Sequence, residues 1–195
     1  MHGLINRSIQ CFVQDTYGPA IWAEVVERAA LDFDNFEALL IYEDNLTGRV
    51  LHATSVRLDK PVEVLMEDIG TYLISNSSFG GARRLLRFGG ETFVDFLHSL
   101  DDLHDRIRLA VPELVLPTLE IRDHAATSFT LDCSFDRPGF GHVLVGILRA
   151  MADDYGALVL LDHRGGNTGV EVIVIEVLDI GFSQGRSFAL GTSAA

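Results

Sequence analysis

At 195 residues, 48% of them hydrophobic and 9% aromatic, the chain is too apolar for a disordered one and long enough for one domain with a real core and a prosthetic group. A formal net charge of -13 argues against a nucleic-acid binder and an anionic-membrane binder, because either needs a basic face to neutralise its partner. The opening MHGLINRSIQCFV has neither a charged leader with an adequate apolar core nor a small-residue cleavage site, and no apolar run approaches the length of a membrane span, so a soluble, cytoplasmic protein is expected.

In chain order, Leu4 to Val13 is compact and apolar and predicts a first helix, Gly18-Pro19 opens a second running towards Ala30, and Asp44 or Asn45 caps a third reaching Arg57. Pro61 suits the first turn of a fourth helix that ends near Ser75, where Ser-Asn-Ser-Ser-Phe-Gly-Gly breaks the pattern. Gly80-Gly81, Gly89-Gly90 and Gly165-Gly166 read as turns, and Arg83, Arg84 and Arg87 as a solvated helix face, with docking as the alternative. From Gly90, ETFVDFLHSLDDLHDRIRLA predicts one continuous core helix, with Phe93, Phe96, Leu97, Leu100, Leu103 and Ile107 recurring at three- and four-residue steps. After Pro112 and Pro117 the texture changes. Thr118 to Arg122 and Ser128 to Cys133 are short alternating segments that predict neighbouring antiparallel strands; Gly141 to Ala152 returns to helical spacing; Leu158 to His163 and Val170 to Leu178 predict two more strands joined by Arg-Gly-Gly-Asn-Thr-Gly. The order of elements is α+β: a helical N-terminal half, then an antiparallel sheet crossed by a helix. The Gly-, Ser- and Ala-rich stretch over residues 182–195 reads as a flexible tail. Cys11 and Cys133 form no CxxC pair and read as free buried thiols.

His104 lies on the apolar stripe of its helix, four residues from Leu100 and next to Leu103, so its imidazole points towards the core. Two readings stay open on the residues alone. One is a neutral imidazole satisfied by a backbone carbonyl; the other is an axial haem ligand, since one imidazole holds haem iron and leaves the opposite coordination position free. Acid-base catalysis with Asp101, Asp102 or Asp105 is disfavoured by the apolar setting, and His98 points about 120° away from His104 at 100° per residue. The chain contains no GxSxG, Walker A, HExxH or Rossmann glycine pattern.

Taken together, MHGLINRSIQCFV, YGPAIW from Tyr17 to Trp22, FVDFLHSLDDLHDRI around His104, Pro117 and RPGFGHVLVGIL from Arg137 resemble the haem-nitric oxide/oxygen binding (H-NOX) family, which includes the haem domain of animal soluble guanylate cyclase. The resemblance runs over residues 1–178. It implies a haem b cofactor with His104, in the LDxLHD pattern, as the proximal iron ligand, and Leu100 and Leu103 beside it. It also implies that Pro117 packs against and distorts the porphyrin. The family's YxSxR propionate motif falls on Cys133, Phe135 and Arg137, so only the arginine is kept; each lost hydroxyl forfeits on the order of 1 kcal/mol of hydrogen bonding. Counted from the segments shared with the family, the resemblance implies that Ile5, Leu73 and Val143 lie on the distal side, and none donates a hydrogen bond. Their neighbours Tyr72 and His142 would supply a donor if the register slipped by one residue.

The resemblance implies one haem-binding domain over residues 1–181, with a helical subdomain over about 1–60 and a ligand-and-sheet subdomain over about 61–181. It also implies a gas sensor rather than an enzyme, taking nitric oxide and carbon monoxide. No cyclase or kinase domain follows the sheet, so the signal is expected to pass to a separate protein, such as a histidine kinase or a cyclic-di-GMP enzyme. The alternative is a domain that keeps the fold, has weak or lost haem binding, and works through protein interaction.

Overall fold

The computed structural model describes residues 1–165 and 169–188. Over these the order is α1 (Gly3–Tyr17), α2 (Pro19–Arg28), α3 (Asp44–Leu58), α4 (Val62–Ser75), a 3-10 turn (Ser77–Phe79), α5 (Gly80–Arg87), α6 (Phe93–His98), α7 (Leu103–Ala110), β1 (Thr118–Ala125), β2 (Ser128–Ser134), α8 (Phe140–Tyr155), β3 (Leu158–Arg164) and β4 (Val170–Asp179). The α+β order of elements expected above is the one observed. The strands form one antiparallel sheet in the order β1-β2-β4-β3, and α8 packs on it through β3 and β4.

Local chemistry explains most boundaries. The His2 imidazole accepts from the Leu4 amide at the start of α1, and Gly18, at φ 93°, ends α1 and lets Pro19 start α2. The N-terminus belongs to the fold: the Met1 ammonium donates to the Tyr42 carbonyl at 2.7 Å and to Asp44 at 2.5 Å.

Three expectations are corrected. The single helix expected over residues 90–110 is two, α6 and α7, parted by a tight turn over 99–102. There the Ser99 hydroxyl bonds back to the Phe96 carbonyl at 2.7 Å and the Arg106 guanidinium takes the Ser99 carbonyl at 2.5 Å. Both compete with the helical ladder. Asp101, in the same turn, accepts the Ile121 amide at 2.8 Å and so ties the turn to β1. The second correction is Gly80-Gly81, which opens α5 instead of ending a helical region. The Arg87 side chain there is only 13% exposed: it reaches the Asp154 carboxylate and stacks 3.8 Å from the Tyr155 ring, so it is no solvated face.

There are two apolar cores. One gathers α1, α2 and α3 around Phe12, Val13, Trp22, Phe36 and Val50, with Leu65 and Ile69 from α4. The other fills the space between α8, α6 and the sheet around Phe96, Phe129, Leu148, Met151 and Ile173, with Ile74 from α4. Thus α4 serves both. It meets α8 at backbone contact: a Cβ on Gly70 would lie 2.1 Å from the Val143 carbonyl oxygen, and one on Gly146 would lie 2.0 Å from that of Glu67. Ser183 and Arg186 donate their amides to the carbonyls of Gly156 and Asp154, so residues 183–186 lie along the end of α8. Residues 189–195 of the tail, and 166–168 in the expected β3–β4 turn, lie outside the described residues.

Candidate functional site

A cavity of about 130 Å³ opens between α4 and α8 on one side and α5, α7 and the strand-leading segment on the other. Leu73 and Ile74 of α4 and Phe140, Leu144 and Ile147 of α8 form the first wall. Ala82, Leu85 and Leu86 of α5 close one end. The facing wall is Leu103, His104 and Ile107 of α7 with Leu116, Pro117 and Leu119. His104 is the one polar side chain in this lining, and its Nδ1 is buried without a hydrogen-bond partner. A backbone-satisfied core histidine would have filled that valence, because an unpaired buried polar nitrogen costs about 1–3 kcal/mol. His104 thus lines the cavity with an unspent hydrogen-bonding valence at Nδ1.

Of the residues singled out from the sequence, His104, Leu103, Pro117 and Leu73 meet at this cavity. The others do not line it. Leu100 is packed in the sheet-side core. Ile5 sits against the helical core, and Val143 is turned so that its carbonyl meets Gly70. Cys133 is buried in β2, where burial above all, and then the Glu171 carboxylate, push its thiol up to about 12. Phe135 stacks edge-on against Phe140, which does line the cavity, with ring centroids 5.4 Å apart. Arg137 lies outside the lining: it pairs with Asp44 at 2.9 Å and approaches the Met1 sulfur at 3.3 Å. The Met1 ammonium and then Arg137 hold the Asp44 carboxyl below its ordinary range.

Neither residue that a register slip would have brought in reaches the cavity. The Tyr72 hydroxyl donates to Asp15 at 2.5 Å, and burial with that carboxylate pushes its ionisation upward. His142 faces Glu67 at 3.4 Å and stacks on His163, centroids 4.1 Å apart. The sequence reading missed Ile74, Leu144, Ile147, Leu85 and Leu86; ordinary leucines and isoleucines carry no chemical mark, and the available signal was the helical period of α4, α5 and α8.

The arrangement suits a flat apolar group carrying an atom that accepts an imidazole nitrogen. A porphyrin is such a group. The unpartnered His104 nitrogen and the apolar walls fit its axial and hydrophobic parts, whereas the volume lies below the roughly 300–1,000 Å³ of common ligand pockets, so the walls must part for it.

Fold and cavity define a class: an α+β domain with one histidine in the wall of an otherwise apolar cavity between helices. The sequence profile of the Haem-NO-binding family matches residues 2–163, and the chain belongs to that family. Its relatives include soluble guanylate cyclase gcy-31 of Caenorhabditis elegans, 29% identical over 154 residues that make up 79% of this chain and 22% of the relative. Another is soluble guanylate cyclase 89Da of Drosophila melanogaster, 25% identical over 177 residues, 87% of this chain and 26% of the relative. The chain thus spans about a quarter of the length of these relatives and matches only part of them. The fold is that of the Fe(II) unliganded H-NOX protein from K. algicida, with a TM-score of 0.80 over 94% of this chain and 100% of the other at 17% identity. Among the described residues, no helix is long and apolar enough to cross a membrane.

Proposed function

We propose that the domain is a haem-based gas sensor in which His104 holds the iron and nitric oxide is the signal. The observation that carries this is the buried, unpartnered His104 nitrogen in an otherwise apolar wall that also contains Pro117. Haem b would supply a ferrous iron able to bind a diatomic gas, with His104 as the residue that would hold it. Leu73, Leu144 and Ile147 keep water from the opposite wall and offer no hydrogen-bond donor. Such a wall suits nitric oxide and carbon monoxide, and disfavours oxygen, which is held best by a donor. Pro117, buried in the histidine wall, sets the shape that a planar ligand must accommodate. The Asp101 bond to β1 gives displacement of α7 a route to the sheet, and a ligand that biases two positions of such an element is what signalling requires. The receiver is a separate protein of the histidine kinase or cyclic-di-GMP enzyme kind, on the resemblance to stand-alone bacterial sensors, and the domain itself does no catalysis.

The test is the absorption spectrum of protein expressed with adequate haem, beside that of His104→Gly. We expect a Soret band in the wild type and its near loss in the variant, restored by free imidazole that fills the vacated space. A variant that keeps the wild-type spectrum without imidazole rules out His104 as the ligand. A second reading, a protein-interaction domain without haem, is favoured by the small cavity and by Arg137 being taken by Asp44. A folded wild type that stays colourless after reconstitution supports that reading.

A further inference from the structure

A second concavity, of about 410 Å³, lies on the far side of α5 from His104. It is lined by Arg83 and Arg84 of α5, Arg186 of the returning segment, and the polar turn Ser75, Asn76 and Ser77. Three guanidiniums converge there in a chain of 28 acidic and 15 basic residues, yet none of the lining residues is acidic. Among the described residues, neither Arg84 nor Arg186 has a carboxylate partner, and both are exposed.

One acid close to the site, Asp154, is used to build it rather than to neutralise it. Asp154 is 2% exposed and receives Arg83 Nε at 2.8 Å and Arg87 Nε at 3.5 Å. Its backbone carbonyl accepts the Arg186 amide at 2.9 Å, and the Ser187 carbonyl accepts from Arg83 at 3.3 Å. One buried residue therefore fixes the side chain of one lining arginine through its carboxylate and the backbone of another through its carbonyl. Gly185 permits this approach: a Cβ there would lie 2.5 Å from the Asp154 carbonyl oxygen. Arg83, Arg84, Arg87 and Arg186 outnumber the two carboxylates beside the site, Asp154 and, against Asn76 Nδ2 at 3.4 Å, Asp15, and the scaffold has already spent the ordering entropy of its parts.

We propose that this concavity binds a small phosphate-bearing ligand, the guanidiniums of Arg84 and Arg186 gripping phosphoryl oxygens beside the fixed Arg83. Planar guanidiniums pair with phosphate through two parallel N–H bonds, and the Ser75 and Ser77 hydroxyls in the lining can donate beside them. The room exceeds one phosphate group and suits a diphosphate or a phosphorylated metabolite. Leu85 and Leu86, on the same helix, line the His104 cavity, and Ile74 lines both spaces. An anion clamped here bears on the neighbouring pocket through α5, but its binding does not depend on that pocket holding haem.

The experiment is titration of the full chain with inorganic pyrophosphate by calorimetry, in wild type, Arg84→Ala, Arg186→Ala and the matching lysine variants. We expect saturable one-site binding, weakened about tenfold or more by each alanine, in line with the loss of a charge-assisted bond. Lysine variants, which keep the charge without the fork, should recover only part of the loss. Absence of saturable binding in the folded wild type overturns the proposal, as does binding untouched by the alanine changes. Full recovery with lysine, or equal binding of sulfate and pyrophosphate, reduces the feature to a diffuse basic patch and also overturns it. Circular dichroism of each variant verifies folding; Arg84 and Arg186 are exposed, so their replacement leaves the cores intact.

Discussion

Gly146→Ala tests the backbone contact between α4 and α8. The added Cβ would stand 2.0 Å from the Glu67 carbonyl oxygen, 2.8 Å from the Thr71 nitrogen and 2.9 Å from the Glu67 carbonyl carbon. All three are main-chain atoms, so no side chain can swing aside. Carbon-oxygen contacts rest at about 3.3 Å or more, so α4 must withdraw by roughly 1.3 Å. Overpacking of this kind costs up to about 3 kcal/mol. The Thr71 hydroxyl bond to the Gly146 carbonyl, 3.3 Å long, weakens as well. Against this, alanine gains about 1 kcal/mol in helix propensity. The balance is a loss of about 2 kcal/mol, or a fall in melting temperature of about 4–8 °C for a domain of this size. Urea unfolding followed by circular dichroism measures it. Gly48→Ala in α3 is the control: its Cβ would meet nothing within 4 Å, so it should stabilise by up to about 1 kcal/mol. A Gly146→Ala midpoint at or above the wild-type value would show that the two helices do not touch as described.

Asp154→Asn leaves Arg83 and Arg87 facing a neutral amide in a buried setting and should cost about 3 kcal/mol of stability in the same urea assay; a loss below about 1 kcal/mol would mean that water already satisfies both guanidiniums. Alkaline stability reports on Cys133. Its folded thiol is raised from 9.0 to about 12, so the unfolded chain loses its proton first, the contribution is complete below pH 9, and it is lost as pH climbs from there towards 12. Stability should therefore decline over that range in the wild type and decline less in Cys133→Ala, a difference that pH-resolved unfolding curves will reveal or deny. For the gas, the haem-loaded, reduced protein should change its spectrum with nitric oxide and with carbon monoxide but take up no oxygen reversibly in air. Reversible oxygen uptake abolished by Tyr72→Phe or His142→Leu would place a donor in the pocket and refute the apolar wall.

The sequence was most informative where one residue type carries unusual chemistry. An imidazole on an apolar stripe marked His104 as unusual, the family resemblance singled out Pro117, and both line the cavity. The strands were legible because alternation in β2 follows its buried and half-buried faces. Spacing failed where long-range bonds decide the local path. The period from Phe93 to Ile107 continues through the α6–α7 turn, since nothing in it announces that Arg106 will take the Ser99 carbonyl. The wall formed by α4 and α8 shows the same limit. Val143 and Leu144 are neighbours of similar character, and which one lines the cavity depends on how α8 is rotated when Gly70 and Gly146 let α4 approach. Arg87 looked solvent-facing because its partner, Asp154, lies far along the chain.

The glycine contacts between α4 and α8 also decide which side of the pocket can yield. Two helices touching main chain to main chain have no compressible side-chain layer between them, so the wall bearing Leu73, Leu144 and Ile147 behaves as a fixed anvil. Any occupant larger than the present 130 Å³ must make room by pushing the opposite side. That side is α7 with Pro117, and it carries both the histidine and, through the turn before it, the Asp101 tether to β1. Filling the pocket therefore becomes a directed displacement of the histidine side towards the sheet edge.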